Sequence, residues 1–249
     1  MTTLSVQDLA LDRGGRRLFE GLSFDLQPGQ ALALTGPNGA GKTSLLRAIA
    51  GLLRPAEGRV QLSAADVPLT PAQTRAALHW QGAADGLKPS RTAQAELRFW
   101  TEWCASPLPP PKWGGTAAPA ARVGSPPHTP TSIANPGAPT RPALRAGHPP
   151  HSGRGRVEHA LTQLGLADQA VTEVRRLSTG QRRRLALARL LAVPRPLWLL
   201  DEPLAPLDAD WRARVGELMQ AHLDSGGLLV AAVHDPLPVP ARELRLETA

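Results

Sequence analysis

The segment Ala31-Leu-Ala-Leu-Thr35-Gly36-Pro-Asn-Gly-Ala-Gly-Lys-Thr43 decides the fold. Its first five residues form a nearly continuous apolar run, the pattern of a strand buried on both faces of a parallel sheet. The glycine-rich stretch that follows lets backbone amides converge on phosphate oxygens, and the helical pattern through Ile49 adds its positive end. Strand, loop and helix in this order read as a nucleotide-binding core. The candidate nucleotide contacts are Gly36, Pro37, Asn38, Gly39, Ala40, Gly41, Lys42, Thr43 and Ser44. Lys42 is expected on the β- and γ-phosphates and Thr43 on Mg²⁺.

Working outward, Pro196-Leu-Trp-Leu-Leu-Asp201 reads as a second buried strand, ending in the paired carboxylates Asp201 and Glu202. A parallel sheet presents groups to a ligand at this carboxyl edge. Asp201 can hold Mg²⁺, directly or through water, and Glu202 can orient or deprotonate an attacking water. Alone, such a pair also fits a solvated turn; beside the phosphate loop it becomes the second half of a nucleotide-hydrolysing site. Helical patterns at Val157–Leu166, Gly180–Leu191 and Ala209–Leu223 alternate with these strands and with Leu228–Val233. That alternation implies a mostly parallel sheet with helices on its faces. Leu4–Leu11 and Leu22–Leu26, separated by Gly14-Gly15, predict an antiparallel opening.

At 249 residues and 42% hydrophobic content the chain can bury one large core, and no internal repeat of that unit occurs. One cysteine, Cys104, excludes an internal disulfide and points to a reducing compartment. The N-terminus lacks a basic and apolar leader, and no stretch approaches the roughly 18 apolar residues of a bilayer helix, so the chain is expected neither to be exported nor to span a membrane itself. The net charge of +7 could suit several anionic partners; with no basic cluster interleaved with aromatics, nucleic acid is not expected. About half of the 26 prolines fall between about 104 and 155, which reads as a disordered insert interrupting a single domain over 1–249.

Leu177-Ser-Thr-Gly-Gln181 opens the helix just upstream of the acidic strand. By itself Ser178 reads equally as an ordinary helix cap. With the two preceding motifs, the chain resembles the ATP-binding cassette superfamily. The resemblance implies an α/β fold: a P-loop NTPase cassette with a mostly parallel core sheet, an N-terminal antiparallel β-subdomain and a helical subdomain. It also implies ATP and Mg²⁺ as ligands, with Ser178, Gly180 and Gln181 facing the γ-phosphate held by a second cassette. Asp208 falls at the loop that communicates across the cassette pair, and His234 at the histidine that reaches the γ-phosphate.

Gly82-Ala-Ala-Asp-Gly-Leu-Lys-Pro89, Gly180–Leu191 and Arg195–Pro203 narrow the resemblance to the ATP-binding subunit of the haem exporter used in cytochrome c maturation. It runs to about Trp103 and resumes near Val157. By this resemblance the chain hydrolyses ATP as a homodimer of cassettes, peripheral on the cytoplasmic face of the inner membrane, beneath integral membrane subunits. Haem is then involved only indirectly.

Two positions depart from the pattern. Arg13 stands where an aromatic often stacks on adenine, and a guanidinium plane can also stack there. Ala83 stands where the family supplies a Gln or His to Mg²⁺ and the attacking water; either Gln81 takes that role or the site runs slowly without it. Trp100 and Trp103 read as core or as a docking face, and Arg182-Arg-Arg184 as a solvated helix face or a partner contact. Rival readings are a transporter ATPase for another cargo, a soluble cassette acting on ribosomes or DNA, and a regulator that binds ATP but barely hydrolyses it.

Overall fold

The computed structural model describes residues 1–105 and 153–247, so most of the proline-rich insert lies outside the described residues. Strands β1 (Thr2–Arg13) and β2 (Arg16–Leu26) pair antiparallel through Gly14-Gly15. β1 also pairs antiparallel with β4 (Glu57–Ala64), and a short β5 (Val67–Pro68) completes the order β2-β1-β4-β5.

The second sheet has five strands. β3 (Ala31–Thr35), β6 (Leu78–Gln81), β7 (Leu197–Asp201), β8 (Leu228–Ala232) and β9 (Arg242–Arg245) lie in the order β6-β7-β8-β3-β9, all parallel. Every residue of β7 and β8 is buried, as their unbroken apolar composition requires of strands covered on both faces. Alternation assigns the two sides. Leu32, Leu34, Leu199 and Val230 pack with Leu45 and Leu46 of α1 (Lys42–Ile49) and with the antiparallel sheet. Ala31, Ala33, Leu200 and Leu229 face α5 (Thr179–Ala192) and α6 (Ala209–Asp224) through Leu187 and Met219. Each fully buried leucine contributes about 1.5–3 kcal/mol.

Helices α3 (Ala93–Ala105), α4 (Gly153–Gln163) and α5 pack on one another as a helical subdomain sharing Leu97, Val157, Leu161 and Leu185. The helix expected to end at Leu166 stops at Gln163, because Gly165 at φ 59° turns the chain. α2 (Pro71–Ala77), short and without a buried face, and the short strands β5, β6 and β9 carry no periodic signal and were not expected. No helix among the described residues is long and apolar enough to cross a membrane.

Candidate nucleotide site

The parallel sheet brings four loops side by side at its carboxyl edge. β3 delivers the phosphate loop, β7 delivers Asp201 and Glu202, β8 delivers His234, and β6 delivers Gln81. Gly36 sits at φ 124°, and a β-carbon there would lie 2.1 Å from the Leu246 carbonyl oxygen. No other residue can take this turn while the chain beyond β9 donates Leu246 N–H to Thr35 O at 2.9 Å. The Thr35 hydroxyl, one residue earlier, hydrogen-bonds Glu243 of β9 at 2.6 Å.

α1 begins directly after the loop with Gly41 as its cap, no side-chain capping bond and no acidic residue in its first turn. Its first amides therefore meet no competing anion of the chain's own in that turn. Lys42 is buried, and its ammonium donates to Gly36 O at 2.6 Å and Pro37 O at 3.1 Å, which stretches it along the loop. Thr43 Oγ1 donates to Asp201 Oδ2 at 2.9 Å, joining the phosphate loop to the acidic strand. A hydroxyl beside a carboxylate, both hard oxygen donors, fits Mg²⁺.

Glu202 takes φ 49°, an uncommon conformation for a residue with a β-carbon, and its N–H is tied to Ala232 O at 2.9 Å. The turn directs its carboxylate toward His234, whose Nε2 lies 3.1 Å from Glu202 Oε1. An ionised carboxylate only accepts, so the imidazole is the donor. Both side chains remain partly exposed, at 38% and 49%. A cavity of about 770 Å³ opens beside His234, lined also by Thr35, Gly36, Pro37, Asp235 and Arg245.

Ser178 caps α5 in a reciprocal box: its hydroxyl accepts from Gln181 N–H at 3.2 Å, and Gln181 Oε1 accepts from Ser178 N–H at 2.8 Å. Asp208 caps α6, its Oδ1 accepting from Trp211 N–H at 2.9 Å. The two caps lie on adjoining loops, since a β-carbon on Gly180 would stand 3.6 Å from Pro206 O. Arg13 Nη1 reaches Ser44 Oγ at 3.5 Å.

The loop after β6 bears on the alternative that Gln81 takes the role left by Ala83. Gln81 is buried at 3% exposure; its Oε1 accepts from Arg189 Nη2 at 2.9 Å and its amide donates to Gly82 O at 3.1 Å. The amide is thus held inside the loop, whereas Ala83 is exposed. Burial lowers the Arg189 guanidinium from its ordinary value, with Glu96 and Asp85 offsetting part of that effect. The Arg182–Arg184 run divides: Arg183 is buried, Arg182 and Arg184 are half-buried, and all three donate to backbone carbonyls. Arg182 donates to Leu177 O at 2.9 Å, Arg183 is 4% exposed and donates to Ala83 O at 2.8 Å, and Arg184 donates to Leu164 O at 2.9 Å. The α-helical period carries the signal that was missed: Arg183 shares the inward face of Ala186, Leu187 and Leu190. The tryptophans divide. Trp100 Nε1 donates to Glu96 at 3.1 Å in a partly buried contact, while Trp103 is 47% exposed and stacks on Phe99.

Residues 19–205 match the model of the ABC transporter family. The chain is 40% identical over 246 residues to the cytochrome c biogenesis ATP-binding export protein CcmA of Rhodopseudomonas palustris strain BisB5, covering 99% of this chain and 98% of that protein. It is 37% identical over 250 residues to the protein of the same name from Mesorhizobium japonicum, covering 99% and 98%. Among solved structures, a putative ABC transporter ATP-binding protein of Pyrococcus furiosus superposes with a TM-score of 0.68 at 17% identity, covering 98% and 97%. A bacterial Atm1-family ABC exporter with ATP bound gives 0.69 at 20%, covering 99% of this chain and 38% of that one. The fold and the phosphate site thus define an ATP-binding cassette of the ABC transporter class. Within that class, the chain belongs to the family of the cytochrome c biogenesis ATP-binding export protein CcmA.

Proposed function

We propose that this chain hydrolyses ATP to drive the export step of cytochrome c biogenesis, as the motor of a haem exporter whose membrane subunits handle the cargo. The observation that carries the hydrolytic reading is the pairing of four groups at one sheet edge: Thr43 with Asp201 at 2.9 Å and Glu202 with His234 at 3.1 Å. Lys42 and the loop amides bind the β- and γ-phosphates. Thr43 and Asp201 would hold Mg²⁺, which when bound supplies charge neutralisation at the phosphate oxygens. Glu202 orients the attacking water and takes up its proton, with His234 donating its hydrogen bond either to that carboxylate or to the γ-phosphate. Water oxygen bonds to the γ-phosphorus as the bond to ADP breaks. Arg13, beside Ser44, offers its guanidinium plane to the adenine.

Two copies act together in this reading, each completing the other's site with Ser178, Gly180, Gln181 and Asp208. The pair sits peripherally on the cytoplasmic face of the inner membrane, and the chain touches haem only indirectly. The exposed Trp103 is the side chain we assign to docking on a membrane subunit. The single domain is interrupted by the proline-rich insert. Purification of tagged chain with ATP from membranes of a cell that makes cytochromes c tests this. Recovery of the haem-export membrane subunits supports it; an unrelated permease keeps the ATPase and discards haem; ribosomes or DNA without any membrane protein overturn it.

A further inference from the structure

The Arg184 guanidinium lies over the Trp211 ring, its carbon 4.0 Å from the ring centroid. The same group donates through Nη1 to Leu164 O at 2.9 Å and Gly165 O at 3.3 Å, carbonyls just past the end of α4. A cation there satisfies acceptors that the helix itself leaves without partners. One side chain of α5 therefore binds the end of α4 and the first turn of α6. The contact is tight: a β-carbon on Gly165 would stand 2.6 Å from Trp211 Cη2 and 3.1 Å from Arg184 Nη1. Arg184 belongs to the helix that Ser178 caps, and Trp211 supplies the N–H that Asp208 caps. The two capped loops meet a second time where Gly180 approaches Pro206 O.

We infer that Arg184, stacked on Trp211, is a positioning residue that locks the Ser178–Gln181 and Leu204–Asp208 loops into one rigid surface for a second copy of the cassette. The inference rests on the paired-cassette reading above. The close approach of Gly180 to Pro206 and the Arg184–Trp211 contact bring α5 and α6 together at two separate points. Burial lowers the Arg184 guanidinium from its ordinary value, and the Asp208 carboxylate offsets part of that effect. Neither Arg184 nor Trp211 touches the phosphate loop of its own chain. The joint should therefore matter to pairing and leave nucleotide binding by a single cassette intact.

The test uses the full chain in a Glu202→Gln background, measuring MgATP-dependent dimerisation by sedimentation and binding of a fluorescent ATP analogue to the monomer. Arg184→Gln and Trp211→Leu are expected to weaken dimerisation by about tenfold or more, within the usual range of coupling between sites, with analogue affinity unchanged. Trp211→Phe, which keeps a ring under the guanidinium, should restore most of it. If the Glu202→Gln parent does not dimerise with ATP, the paired-cassette reading fails and this inference with it. If the parent dimerises and Trp211→Leu dimerises equally well, the joint is overturned and the reading stands. Parallel loss of analogue binding and dimerisation would reduce the joint to general structure and also overturn it, and Trp211→Leu decides the matter should Arg184→Gln fail to fold.

Discussion

The Thr43 hydroxyl donates to Asp201 Oδ2 at 2.9 Å, joining two loops separated by 158 residues of sequence. Next to Asp201, Glu202 holds its carboxylate 3.1 Å from His234 Nε2. Asp201 and Glu202 thus leave the end of β7 toward different partners, Thr43 after the phosphate loop and His234 after β8.

Replacing Glu202 by Gln keeps shape and hydrogen bonding but removes the proton acceptor. Steady-state ATP hydrolysis should fall by about 10²–10⁴-fold while ATP affinity is retained. A phosphate-release assay beside equilibrium nucleotide binding checks this; normal turnover would show that another group activates the water.

Gly36→Ala should cost nucleotide binding before it costs fold. The added methyl meets Leu246 O at 2.1 Å, so the loop must part from the segment after β9. A loss of ATP affinity of at least about tenfold is expected from the displaced amides, with β9 losing amide protection in hydrogen exchange. Wild-type affinity would mean that the loop tolerates the shift.

Ala83→Gln places an amide at an exposed loop position where Gln81 cannot serve, its own amide being held by Arg189 and Gly82 O. We expect kcat to rise on the order of tenfold, the low end of what one well-placed polar group contributes, with KM for ATP little changed. An unchanged or lower kcat would place the limiting step elsewhere.

Two half-buried histidines set the acid response. Burial lowers His79, whose ring meets Val193 O, to about 3, and lowers His222, stacked at 3.9 Å on Trp198, to about 4. Both are depressed bases, so below pH ~6.5 the unfolded chain takes up protons that the folded chain refuses. Their contribution to stability is complete above that pH and declines toward about 4 for His222 and about 3 for His79, at up to ~1.4 kcal/mol per pH unit each. Urea unfolding at pH 7 and pH 5 measures the decline, and His79→Gln should remove one histidine's share of it. An identical slope in that variant would refute the assignment.

The strands β3, β7 and β8 were legible because burial on both faces demands unbroken apolar runs, and Ala31–Leu34, Leu197–Leu200 and Leu228–Ala232 supply them. The phosphate loop was legible because only small residues permit its turns. By contrast, β9 reads Arg-Glu-Leu-Arg, an edge strand with one sheet neighbour and no apolar period, although it sets the chain segment against which Gly36 must fit.

By itself the sequence determined the chemistry available: Lys42, Thr43, Asp201, Glu202 and His234, the order of strands and helices around them, and the family resemblance that follows. Which groups meet was decided only in three dimensions. The tertiary structure retracted Gln81 onto Arg189, sent Arg182, Arg183 and Arg184 to three different carbonyl sets, and stacked Arg184 on Trp211. The physical reason is that local patterning fixes which face a residue occupies, while a buried cation must find whatever acceptors the packing of other elements brings within reach.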